Sequence, residues 1–128
     1  MINFHNATEK MSEISLIQKT CGFYKYIHED LKHFPKSDRY GIGSKIENLT
    51  LELLGSWITA NSEIAQFRIK TLNQVNPKLN FLKLLIRLCW ELKIINQKKY
   101  LDRQENLQEI GRMLGGWIKS TKKELGLD

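Results

Sequence analysis

Proline is scarce in this 128-residue chain, with Pro35 and Pro77 the only two. No segment alternates apolar and polar residues at the period of two that a half-buried strand requires. The two absences favour an all-helical design. Cysteine is equally sparse: Cys21 and Cys89 stand among apolar neighbours without CxxC or Cys/His spacing. They read as small buried hydrophobes in a reducing compartment, not as a disulfide or metal framework. The most apolar stretch, 79–95, is interrupted by Lys83, Arg87, Glu91 and Lys93 and is too charged to span a bilayer. The start, Met1-Ile2-Asn3-Phe4-His5-Asn6, has neither the basic region nor the apolar core of a signal peptide. A cytoplasmic location without membrane contact is expected.

Catalytic patterns are missing too. His5, His28 and His33 have no metal-ligand spacing, and the Glu-x-x-His pattern of a di-iron bundle is absent. His28 is expected at the surface or rim. Gly41-Ile42-Gly43 follows no strand and precedes no GK[ST], so it marks the beginning of a helix and not a phosphate loop. No triad signature is present. The expectation is a protein that is not an enzyme and carries no metal or cofactor.

What is present is helical periodicity. The length allows one domain, residues 1–128, with a single core. After a polar lead-in over 1–13, Ile14, Ile17, Cys21, Tyr24, Ile27, Leu31 and Phe34 recur every three or four residues and predict a helix over about 14–34. Pro35 ends it. Ser37 can cap a second helix, about 38–73, with Ile42, Ile46, Leu49, Leu53, Trp57, Ile64, Phe67 and Leu72 inward. Its phase changes near Ala60-Asn61-Ser62, and continuity is favoured because no Gly or Pro intervenes. Asn76-Pro77 predicts a cap and first turn for a third helix, about 77–95, that is apolar over most of its circumference except Asn80, Lys83, Arg87 and Glu91. A helix burying one face in its own bundle needs an apolar stripe of only about 100°, so part of this one is expected to face another subunit. The fourth helix, about 99–123, turns Leu101, Leu107, Ile110, Leu114 and Ile118 inward. Short connections imply an antiparallel up-down-up-down four-helix bundle.

The charge is unevenly placed. Residues 1–64 hold seven basic and eight acidic side chains, whereas residues 65–98 hold seven basic residues against Glu91 alone. A localised positive face implies an anionic partner. Lys83 and Arg87, four apart, project side by side from an apolar helix. Lys78, Lys98, Lys99 and Arg103 extend the set towards nucleic-acid or polymerase contact. The plain alternative is a solvated stripe with Arg87 paired to Glu91. No helix-turn-helix or aromatic sheet motif supports sequence-specific readout.

The last helix contains Gly111, Gly115 and Gly116, each costing roughly 1 kcal/mol relative to alanine. Gly111 and Gly115 lie four apart, open a groove on one face, and are flanked by Arg112 and Trp117. With Trp90 these residues are candidates for helix packing or oligomer contacts.

Two stretches resemble a known family. Phe34-Pro35-Lys36 with Arg39-Tyr40-Gly41-Ile42 resembles the first turn of the four-helix-bundle proteins encoded in intervening sequences of ribosomal RNA genes. Ile110-Gly111-Arg112-Met113-Leu114-Gly115-Gly116-Trp117-Ile118 resembles the last helix of that family and of its relatives, the accessory variability determinants of diversity-generating retroelements. The likeness spans about residues 15–122 in helix order and length. Intervening-sequence proteins usually carry a Pro-Ala-Asn-Ile-Ala-Glu-Gly-like run; here Thr59-Ala60-Asn61-Ser62-Glu63-Ile64-Ala65 lacks the proline and the glycine. The Lys83/Arg87 pair and the Gly-Gly-Trp-Ile ending are more similar to the accessory determinants. That resemblance implies a basic homopentameric barrel that associates with a reverse transcriptase and its template RNA, or an RNA–DNA hybrid, and supports mutagenic cDNA synthesis. The alternatives are an intervening-sequence bundle protein without a polymerase partner, or an adaptor that binds only protein through its third helix.

Overall fold

A computed structural model describes residues 4–127, with side chains from Ser15 onward. Six helices account for nearly all of it: α1 (Phe4–Leu31), α2 (Lys36–Asp38), α3 (Ser44–Ser62), α4 (Ala65–Asn73), α5 (Val75–Glu91) and α6 (Gln97–Glu124), with a π-helical turn over Arg39–Gly43. No strand occurs among the described residues. Four long helices, α1, α3, α5 and α6, form an antiparallel bundle in which α1 and α5 each pack between α3 and α6. The short α4 crosses one end. The core runs through Leu16, Phe23, Ile46, Leu53, Trp57, Leu72, Leu79, Leu82, Ile86, Leu107, Ile110 and Leu114, each almost wholly removed from solvent.

The inward stripe of α1 differs from the expected one. Leu16, Thr20, Phe23, Ile27 and Leu31 are buried, whereas Ile17, Cys21 and Tyr24 are half-buried. Ile14 lies outside the described side chains. Two polar residues disguised the true stripe. Thr20 is tolerated in the core because its hydroxyl donates to the Leu16 carbonyl at 2.8 Å and accepts the Trp57 indole N–H at 3.0 Å. Asp30 is buried because cations on α6 neutralise it. The helix also begins at Phe4, so part of the predicted lead-in is helical.

Helix α1 ends at Leu31, three residues before the predicted end, and Arg39 closes it. The guanidinium donates to the carbonyls of Leu31 at 3.0 Å and Lys32 at 3.3 Å, satisfying acceptors left open by the last turn. Ser37 does not cap the second helix: it lies inside α2, and no side chain caps that terminus. Gly43 does mark a helix beginning, and it is sterically required. A Cβ there would stand 2.6 Å from Leu31 Cδ2 and 3.1 Å from the Asp38 carbonyl oxygen.

The second bundle helix does not continue through residue 62. Glu63 and Ile64 are extended, with ψ of 150° and 158°. The Ser62 hydroxyl donates back to the Thr59 carbonyl at 2.8 Å, which helps terminate α3. Arg68 then pins α4 across the bundle end: it is 8 % exposed, donates to the Thr121 hydroxyl at 3.1 Å and pairs with Glu124. The shifted phase leaves Ile64 and Phe67 exposed instead of inward.

Helix α5 begins at Val75, separated from α4 only by Gln74, so Asn76 is not its cap. Pro77 sits in the first turn, where its missing N–H would have no intrahelical acceptor. In α6 the buried positions are Leu107, Ile110, Leu114, Trp117 and Thr121, whereas Leu101 is exposed and Ile118 is half-buried.

Candidate nucleic-acid interface

Helix α5 presents its cations beside α6. Gly111 lies against α5: a Cβ there would lie 3.3 Å from Leu79 Cδ2 and 3.8 Å from the Lys83 ammonium. Two turns earlier in α6, the Gln104 amide donates to the Lys83 carbonyl at 2.9 Å. Arg87 follows Lys83 by four residues, so the two share one face of α5. Gly115 and Gly116 are exposed, and a Cβ on either would meet nothing within 4 Å. Of the three glycines in α6, only Gly111 has a packing reason to be glycine among the described residues. Trp117 does not flank the groove; it is 6 % exposed and packs against Trp57 at 6.4 Å between ring centroids. Arg112 is exposed and pairs with Glu109, whose carboxyl is held below its usual pKa by the guanidinium hydrogen bond.

The predicted basic set separates into two groups. Arg103 donates two hydrogen bonds to Asp30, at 2.7 and 3.0 Å, and its guanidinium lies 4.6 Å from the centre of the Tyr26 ring. Lys99 reaches the same carboxylate at 3.1 Å. These two cations hold α6 to α1, and the buried carboxylate offsets one of their two charges. Arg87 pairs with Glu91 at 2.8 Å on an open surface, where such a pair is worth little and exchanges readily for a stronger anion. Lys78, Lys83 and Lys98 carry no ion pair among the described residues. The charge available to an anionic partner therefore lies on α5 and at the start of α6.

Beside these cations α5 exposes apolar surface. Phe81, Leu84 and Leu92 are 42, 49 and 63 % exposed, and the Lys45 ammonium lies 5.9 Å from the centre of the Phe81 ring. The buried residues of α5 are Val75, Leu79, Leu82, Leu85, Ile86 and Cys89. The helix thus retains more apolar surface than its own bundle covers.

A cavity of about 1070 Å³ lies instead between α1 and α6, lined by Lys19, Arg103 and Arg112 together with Asp102, Glu105 and Glu109. Its mixed charge gives no preference for a polyanion. Among the described residues no group of three His, Cys, Asp or Glu side chains could hold a metal ion. Nor is any described helix long and apolar enough to cross a membrane. His28 is exposed, and its ring stacks on Tyr24.

A family model described as bAvd-like matches residues 9–121, from within α1 almost to the end of α6. The chain belongs to the bAvd-like family. It matches no curated protein. Of the two branches that the sequence resembles, the match falls on the accessory variability determinants.

Two features of this bAvd-like chain escape sequence reading. One is the Asp30 anchor, whose only trace is an acid placed on the apolar flank of α1, three residues after Ile27. The other is Lys93, which adopts φ 62° in the loop between α5 and α6.

Proposed function

We propose that this bAvd-like protein is a non-enzymatic, cytoplasmic accessory subunit of a diversity-generating retroelement. It assembles as a homo-oligomer, five copies on the family resemblance, and binds the reverse transcriptase with its template RNA or RNA–cDNA hybrid during mutagenic reverse transcription. The observation that carries the nucleic-acid reading is that Lys78, Lys83 and Lys98 are free of ion pairs among the described residues, with Arg87 in an exposed pair. The exposed Phe81, Leu84 and Leu92 support assembly through α5.

The test is RNA binding as salt is varied, with wild type and with Lys83→Ala/Arg87→Ala. Steep salt dependence and weaker binding by the double variant, without sequence preference, are expected. Absent or salt-insensitive binding overturns the nucleic-acid reading and leaves a protein-only adaptor. A reverse transcriptase gene beside a template/variable repeat pair would support the retroelement role, and its absence counts heavily against it.

A further inference from the structure

Helix α5 ends in a way that joins an aromatic ring, a cavity and a cation. The Lys93 N–H donates to the Trp90 carbonyl at 3.0 Å, and the Ile94 N–H donates to the Cys89 carbonyl at 2.8 Å. This is the C-terminal cap in which the residue just past the helix takes left-handed backbone, a place that favours glycine. Helix α6 ends with the same two bonds, from Gly126 to Lys123 and from Leu127 to Lys122, and there the left-handed residue is glycine. At the end of α5 it is Lys93, with φ 62°. A lysine in that conformation costs folding energy that a glycine would not, which directs attention to its side chain.

Around Lys93 lies a surface cavity of about 330 Å³, lined by Trp90, Lys93, Ile94, Ile95 and Asn96. Tyr100 covers part of the indole in a near-parallel stack, 4.5 Å between centroids and 7° between planes. Trp90 remains half-buried and borders the cavity. The Asn96 side-chain oxygen is occupied by the Lys99 N–H at 2.9 Å. Its amide nitrogen has no protein partner among the described residues. An aromatic ring already stacked on a second ring, an amide donor and a lysine without an ion pair among the described residues together suit a flat heterocycle carrying carbonyl acceptors and a phosphate. The cavity also continues the row of Lys83 and Arg87 towards the end of α5.

We infer that this cavity holds a single unpaired base of a nucleic-acid strand, stacked against Trp90, with its phosphate at Lys93. The inference rests on the nucleic-acid reading above and adds a selectivity to it: the surface prefers single-stranded segments over closed duplex. A base still paired within a duplex cannot reach the indole, whereas an unstacked base can.

Tryptophan fluorescence tests this with the intact protein. Trp57 and Trp117 are buried in the core, so a ligand-induced change in emission reports Trp90. Short single-stranded oligomers, RNA and DNA in separate arms, are expected to quench the emission of wild type, and blunt duplexes of the same sequences are not. Trp90→Leu should weaken single-strand binding about 10-fold, a typical value for one lost base stack, and leave duplex binding unchanged. Trp90→Phe, which keeps a ring against Tyr100, should restore most of the affinity. Unchanged emission while oligomers bind, or equal quenching by duplex, overturns the base site and leaves the basic-surface reading standing. Failure of wild type to bind any oligomer overturns both.

Discussion

At the scale of single residues, the sharpest expectation concerns Lys93. Replacing a left-handed lysine by glycine relieves backbone strain, so Lys93→Gly should stabilise the fold by about 0.5–1 kcal/mol. The same change removes the phosphate contact and should weaken single-strand binding. Thermal denaturation and oligomer titration of one variant would therefore move in opposite directions, and a parallel loss of both would mean that Lys93 serves only the fold. The two cysteines offer a second residue-scale expectation. Burial, aided by the charges of Asp38 and Asp30, pushes the Cys89 thiol up to about 11. At pH 8 its thiolate fraction is then on the order of one in a thousand. Thiol reagents should label the half-buried Cys21 first and reach Cys89 only as the protein unfolds. Because the folded pKa lies above the ordinary value of 9.0, the linked stability is complete below about pH 9 and is lost as pH rises towards about 11. Comparison with Cys89→Ala isolates that contribution from other groups titrating there.

At the scale of helices, the division of the basic residues becomes testable. Arg103 binds the buried Asp30 through two hydrogen bonds and joins α6 to α1. Arg103→Ala should destabilise the protein by about 2–4 kcal/mol, less than a fully orphaned buried charge would cost, because Asp30 keeps Lys99. Its effect on RNA affinity should be slight. Lys83→Ala should do the reverse, lowering affinity with little change in the melt. This division was hidden from the sequence because it depends on contacts 73 residues apart. What was legible was periodic: the four bundle helices, the glycine-marked beginning of α3, and the surplus apolar surface of α5. What was not legible was polar and long-range. Thr20 and Asp30 occupy inward positions of α1 through partners on other helices, so the apolar pattern pointed to a neighbouring stripe. The break at Glu63-Ile64 carries no Gly or Pro, and α4 is held across the bundle end by Arg68 reaching Thr121 and Glu124. The glycines of α6 looked alike in sequence, yet only Gly111 lies against α5.

At the scale of the whole molecule, surface without a partner inside the protomer bears on assembly. Gly115 and Gly116 leave α6 smooth where none of the described side chains approaches, although alanine would strengthen the helix by roughly 1 kcal/mol at each position. Phe81 and Leu84 on α5, with Leu92 just past its end, expose an apolar strip. In the proposed oligomer both features meet neighbouring copies, so Leu84→Lys should shift the protein to smaller species in size-exclusion chromatography with light scattering. Gly115→Ala should stabilise the separated protomer while weakening the assembly. A wild-type monomer at micromolar concentration would remove the assembly from the proposal and leave the α5 strip to a different protein. Assembly also multiplies the charge. If each protomer contributes Lys78, Lys83, Arg87 and Lys98 to phosphate contact, the slope of log affinity against log salt should be about −3 per engaged protomer. An assembled ring engaging several protomers at once must then show a several-fold steeper slope than a dissociated Leu84→Lys variant. Equal slopes for the two would mean that nucleic acid meets one bundle at a time and that the oligomer serves another purpose.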